Sequence, residues 1–126
     1  MPFAKIVPLM KCIDMAESLS FYTNILDFEL IGTWPESGSP SFSIVEKDGI
    51  AIQLSTHSGD GVVGNAVYII VNNIDKLFDK YLARGLDTTK KSESPVHQGP
   101  LDQTWGWREF YVTDPSGNTI RFGEKL

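Results

Sequence analysis

This chain has one cysteine and two histidines in 126 residues. A lone thiol, Cys12, can make no internal disulfide and no cysteine cluster for a metal. His57 and His97 stand apart in polar, Gly- and Ser-rich surroundings and form no recognisable ligand pair, so both are expected on surface loops. Positive charge is also in deficit, with 11 Lys and Arg against 16 Asp and Glu, a net charge of −5 and a pI near 4.9. That balance argues against nucleic acid, which needs a basic face, and is compatible with a cationic ligand. No apolar run is long enough to span a membrane, and Met1-Pro2-Phe3-Ala4-Lys5 lacks the apolar stretch of a signal peptide. The expectation is a cytoplasmic protein without membrane contact. At 41% hydrophobic residues, the length suits one domain, residues 1–126, with a modest core.

What is present is a pattern that repeats after about sixty residues, the length of one small supersecondary unit. The first unit, about residues 1–57, opens with the apolar run Ile6 to Ile13. Asp14 follows as a helix cap, with Glu17 placed to complete a capping box. Leu19, Tyr22, Ile25 and Leu26 make the stripe of an amphipathic helix. Three strands are expected next, at Glu29 to Trp34, Ser41 to Glu46 and Ile50 to Ser55, with Lys47-Asp48-Gly49 as a hairpin turn. The second unit, about 64–126, begins with a strand from Asn65 to Val71. A helix from Asn73 follows, with Leu77, Phe78, Tyr81 and Leu82 as its stripe and Gly85 as its stop. Strands are expected around Thr88 to Lys91, at Arg108 to Thr113 and at Thr119 to Phe122, with Ser92 to Thr104 as a loop. The chain thus reads β-α-β-β-β twice. This is an α+β plan in which two modules, with mixed or antiparallel sheets, form a curved trough and the helices lie outside.

The segment from Trp105 to Phe122 is the most informative. Its aromatic-rich first half suits a pleated, half-buried strand, and Asp114-Pro115-Ser116-Gly117-Asn118 supplies a turn. Within five residues it carries two indoles, an arginine and a glutamate, one indole beside the flexible Gly106. Such a surface suits a flat or cationic ligand.

Together with the duplicated plan, this segment resembles the vicinal oxygen chelate superfamily of glyoxalases, bleomycin-resistance proteins and dioxygenases, in particular its bleomycin-resistance branch. The resemblance also rests on Val7-Pro8-Leu9 and on Asp14 through Phe28, and it spans essentially the whole chain. Enzymes of the superfamily carry His, Glu or Gln at one inward position on each of four strands. Those positions fall here on Val7, Gln53, Ala66 and Arg121. Only Gln53 offers a donor atom, a weak neutral one, and Arg121 carries a fixed positive charge. A shift of one residue in register is no better. No metal and no other cofactor is therefore expected, and the expected role is binding without catalysis. The alternative is a metal-dependent lyase, isomerase or oxidoreductase of the same superfamily, working around Gln53, Glu109 and Tyr68.

Strand alternation sends Ala51, Gln53 and Ser55 to the trough and Ile50, Ile52 and Leu54 to the helix. Trp105, Gly106 and Trp107 are candidates for the ligand-binding wall of the trough. The two indoles share a face unless Gly106 bulges the strand, and one lining the trough with the other buried is the preferred reading beside ordinary strand packing. Trp34 and Phe42 are candidates for an opposing wall, although core packing is the plainer reading. Glu109 and Arg121 are expected as a cross-strand ion pair, with Tyr68 and Tyr111 beside them. Asp60 reads as a solvated loop acid that would add charge at the mouth, and Cys12 as packing. Pro8 interrupts the first strand. In the resembled antibiotic-binding proteins the segment before such a proline crosses to a partner, which implies a homodimer with ligand crevices between two chains. The resulting expectation is a metal-free protein that sequesters a planar or cationic, bleomycin-like small molecule.

Overall fold

A computed structural model describes residues 2–126. The chain divides into two compact units. One runs to Asn65 and takes in Pro115–Asn118, and the other comprises Ala66–Asp114 and Thr119–Leu126.

The first unit holds β1 (Leu9–Lys11), α1 (Met15–Ser20), β2 (Glu29–Trp34), β3 (Phe42–Lys47) and β4 (Ile50–Ser55), in the sheet order β1-β4-β3-β2. The sheet is mixed: β1 runs parallel to β4, and the other pairs are antiparallel. The parallel pair follows from the crossover through α1, which returns the chain to the sheet in the same sense. β1 is shorter than the apolar run that encodes it. Pro8 has no N–H to give, and only its carbonyl joins the ladder, accepting from Gln53 at 2.9 Å. Before it, Phe3 and Ile6 are 94% and 95% exposed.

Asp14 caps α1 as its type and place require, accepting the Glu17 N–H at 2.9 Å. Asp14→Ala should therefore cost about 1 kcal/mol in urea unfolding, whereas an unchanged midpoint would show that the cap is dispensable. The helix then widens into a π-turn over Phe21–Ile25. Tyr22 and Leu26 are fully buried, as are Val45, Ile52 and Leu54, and the Tyr22 ring sets its edge against Phe28. Alternation holds in β4: Ile52 and Leu54 lie under the helix, while Gln53 faces the other way beside Leu9 and Ile44. Ile50, at the strand end, is 46% exposed. The Asp48-Gly49 turn has positive φ at both residues, 50° and 79°, the conformation that matches the twist of a two-residue hairpin. Asn118, from the Pro115–Asn118 segment, is fully buried in this unit. It accepts from the Gly64 and Asn65 N–H groups and donates to the Lys11 carbonyl.

The second unit repeats the order with β5 (Ala66–Ile70), α2 (Ile74–Ala83), α3 (Pro95–Gln98), β6 (Leu101–Asp102), β7 (Trp107–Thr113) and β8 (Thr119–Lys125). Its sheet order is β5-β8-β7-β6, again with the outer pair β5/β8 parallel. Ile74, Phe78 and Tyr81 bury one face of α2 on Phe110 and Phe122, whose rings stack at 4.9 Å. Leu82, expected in that stripe, is 43% exposed. Asn73 makes no side-chain cap. The Glu124 carboxylate of β8 takes the Asn73 and Ile74 N–H groups instead, at 2.8 and 3.0 Å. Those two bonds hold its carboxyl below the usual range.

The expected strand at Thr88 to Lys91 is not one. Asp87 accepts both the N–H and the hydroxyl of Thr89, a local turn that competes with extended backbone. The edge position on β7 is filled by β6, from within the expected loop, where Leu101 pairs with Glu109 and Asp102 with Arg108. In both units the helix covers one sheet face, and the other face carries the polar and aromatic side chains described next. Among the described residues no helix is long and apolar enough to cross a membrane.

Candidate functional site

In the second unit the register places Tyr68, Arg121 and Tyr111 side by side across β5, β8 and β7. Glu109 and Trp107 follow on the same face of β7, because residues two apart share a face. Glu109 is fully buried there and draws four donors. Tyr68 Oη donates to Oε2 at 2.6 Å, Trp105 Nε1 to Oε2 at 3.2 Å, Tyr111 Oη to Oε1 at 3.2 Å and Arg121 Nη2 to Oε1 at 3.4 Å. Burial alone would raise this carboxyl, but the four donors outweigh it and hold the group below its ordinary value. Tyr68 responds in the opposite sense. Burial, its bond to Glu109 and the carboxylate charge push its phenol up to about 12.

Arg121 is held by more than its ion pair. Its guanidinium carbon lies 5.2 Å from the Tyr68 ring centre and 4.8 Å from that of Tyr111, a cation–π contact on each side. Trp107 sets its ring edge against Tyr68 at 6.1 Å. Trp105 is not in a strand. It sits in the turn between β6 and β7, next to Gly106 at φ 87°, with 56% of its surface exposed. Its N–H is fixed on Glu109 while the ring stays open.

Tyr68 reaches Glu109 only because position 123 is glycine. A Cβ built there would lie 1.9 Å from the phenol oxygen and 2.5 Å from Cζ. Gly123 pairs directly with both Ile70 and Glu109, so the ring crosses β8 over the one residue without a side chain. His97, expected on a surface loop, lies in α3 against β7. It bonds Ser94 and Thr113 through its two ring nitrogens and sets its ring edge-on to Tyr111. Burial, with nearby Lys91, lowers its pKa. Sequence reasoning missed both residues. Gly123 lies just past the expected last strand, which ends at Phe122, whereas β8 runs on to Lys125. His97 reads as a loop residue because the short helix α3 falls inside the expected loop from Ser92 to Thr104.

In the first unit Trp34, Phe42 and Gln53 share the open face, through the pairs Trp34–Phe42, Phe42–Ser55 and Ile44–Gln53. Trp34 is 51% exposed, so the core-packing alternative does not apply to it. Its ring lies over Gly32, where a Cβ would meet it at 2.7 Å, and its centre is 6.3 Å from that of Phe42. Asp60 is tied down by the Ser55 hydroxyl at 2.6 Å and borders a shallow pocket of about 460 Å³ with Phe42 and His57. The sequence-derived residues therefore fall into two sets, one on the open sheet face of each unit.

The side chains at the four superfamily metal positions do not fit a metal. Val7 and Ala66 have no donor atom, Gln53 has one amide oxygen, and Arg121 is a cation already engaged by Glu109. Among the described residues no three His, Cys, Asp or Glu side chains are grouped so as to hold a metal ion.

A family model described as glyoxalase superfamily protein matches residues 1–126. Solved structures similar to the chain include a bleomycin-binding protein from bleomycin-producing Streptomyces verticillus, complexed with copper(II)-bleomycin. It is 27% identical, with TM-score 0.71 and coverage of 97% of this chain and 96% of that one. A bleomycin resistance determinant encoded on the transposon Tn5 is 15% identical, with TM-score 0.75 and 98% of both chains covered. A lactoylglutathione lyase from Agrobacterium tumefaciens is 14% identical, with TM-score 0.72 and coverage of 98% and 94%. No curated protein matches the chain.

Proposed function

Because the chain belongs to the glyoxalase superfamily, whose fold serves binding proteins and enzymes alike, we propose that it is a metal-free binding protein that sequesters a planar or cationic, bleomycin-like molecule. The observation that carries this reading is a pair of half-exposed indoles, Trp34 on the open sheet face of its unit and Trp105 in the turn beside the other. Trp105 is fixed through its N–H to Glu109, and Trp34 is seated over Gly32. A pre-set aromatic surface loses little side-chain entropy on binding, and each stacked ring adds about 0.5–1.5 kcal/mol beyond its buried area. The donor-poor metal positions support binding over metal chemistry. The S. verticillus protein, complexed with copper(II)-bleomycin, supports this class of ligand. Binding crevices would form between two copies of the chain. The exposed Phe3 and Ile6 ahead of Pro8 support an arm that crosses to the partner. Sedimentation at micromolar concentration should then show a dimer; a single 14.0 kDa species would overturn that part.

The direct test is intrinsic tryptophan fluorescence during titration with bleomycin, metal-free and copper-loaded. Saturable quenching at micromolar or tighter affinity is expected, weakened at least tenfold, about 1.4 kcal/mol, in Trp34→Ala or Trp105→Ala. A flat response to both forms of the drug removes bleomycin as the ligand.

A further inference from the structure

Arg121 is over-supported for an ion pair and under-used as a donor. Its contact with Glu109 is the longest of the four that the carboxylate receives, 3.4 Å against 2.6 Å for Tyr68. Its Nε–H is buried without any partner. Besides the guanidinium, Glu109 has three neutral donors. Both phenol hydrogens and the indole hydrogen on this face are already committed to Glu109. The guanidinium is therefore the group with N–H to offer, and 35% of its side chain remains exposed.

The surroundings set what it can accept. Rings at 5.2 and 4.8 Å flank the guanidinium carbon. Between them the side chain stays 35% exposed, and a planar fork of N–H donors pairs best with a planar pair of oxygens. The charge on this face also favours an anion. Along β5 to β8 its positions carry Arg121 and Lys125 as cations against the single carboxylate of Glu109, although the whole chain is at −5.

We propose that the free edge of the Arg121 guanidinium, slotted between Tyr68 and Tyr111, is a receptor for a carboxylate on a small ligand. It rests on the binding reading above only in taking this open sheet face as a place where a ligand lies. It differs in the chemistry: the second unit takes an acidic, planar group, and Trp105 lies within reach of the rest of the ligand through their shared partner Glu109. The ligand carboxylate accepts two N–H groups, and Glu109 stays ionised on its phenols and indole.

The test uses benzoate and benzamidinium, which share a shape and differ in sign, titrated into the full chain by calorimetry and by NMR of the arginine Nε–H signals. Benzoate should bind saturably with Kd of about 1 mM or tighter and shift the Arg121 signal. Benzamidinium should be at least tenfold weaker. Arg121→Lys keeps a positive partner for Glu109 but has no planar fork, and it should weaken benzoate about tenfold. Equal binding of the two probes, an unchanged affinity in Arg121→Lys, or no benzoate binding to the wild type would each overturn the proposal. The bleomycin titration is independent. Benzoate binding without a bleomycin response would leave the carboxylate site standing and remove sequestration of that drug. The reverse pair of results would remove only the carboxylate site.

Discussion

A Gly123→Ala variant is expected to lose about 2–3 kcal/mol of stability in urea unfolding, with Tyr68 displaced from Glu109. The added methyl would sit 1.9 Å from the phenol oxygen, far inside contact distance, and β8 cannot move because it pairs with β5 on one side and β7 on the other. The ring must leave, and a charge-assisted hydrogen bond goes with it. Tyr68 is 37% exposed, so the freed phenol can hydrate, which keeps the cost below that of a core collision. The phenol itself reports the event. In the wild type burial and the bond to Glu109 push it up to about 12, from the ordinary 10.0. Its tyrosinate absorbance should return toward 10.0 in the variant. A phenol raised by folding favours the native state fully below the unfolded value, and that contribution is lost as pH rises from 10.0 toward 12. The variant should lack this alkaline loss. In a Tyr68→Ala background most of the cost of Gly123→Ala should vanish; if it persists, the collision lies elsewhere.

Glu109→Ala should be costlier still, about 3–4 kcal/mol, because it leaves two phenols, an indole and a guanidinium facing an empty acceptor position. Arg121, a third exposed, recovers some hydration, and this holds the loss to the lower part of the range for broken buried pairs. The acid limb gives a second readout. The folded carboxyl is depressed by its donors, so its contribution is present above the unfolded carboxylate value and is lost as pH falls through the folded one. Wild-type stability should fall over that acid window, and the variant's should fall less. Equal acid profiles would show that another carboxylate governs the limb.

The two variants probe opposite ends of one arrangement. Gly123 lets Tyr68 cross the sheet, Tyr68 and Tyr111 grip Arg121, and Glu109 ties them to the Trp105 indole. Gly32 and Trp34 make a matching pair in the first unit. In each unit the open face has a missing side chain under an aromatic ring.

Much of this was legible in the chain because it is local. Period two in Ile52-Gln53-Leu54 separates a helix-facing from an open side, whatever the sheet around it. Asp14 caps its own helix through a neighbour three residues on, and the Asp48-Gly49 and Asp114–Asn118 turns depend on residues within reach of each other. The metal positions could be judged from side-chain chemistry alone, since valine and alanine have no donor in any conformation. Pairing partners are a different matter. Whether Thr88–Lys91 or Leu101–Asp102 becomes the edge strand is a competition between segments, and the Asp87–Thr89 turn decided it. The cap of α2 comes from Glu124, fifty-one residues beyond Asn73. The fit of Tyr68 over Gly123 requires β5 and β8 to be parallel and in one particular register. Sequence alone determined which residues alternate and turn, and which residue caps α1, because those forces act within a few bonds. Only the tertiary structure decided which glycine lies under which ring, and so gathered four donors on one carboxylate, because that depends on strand register between segments far apart in the chain.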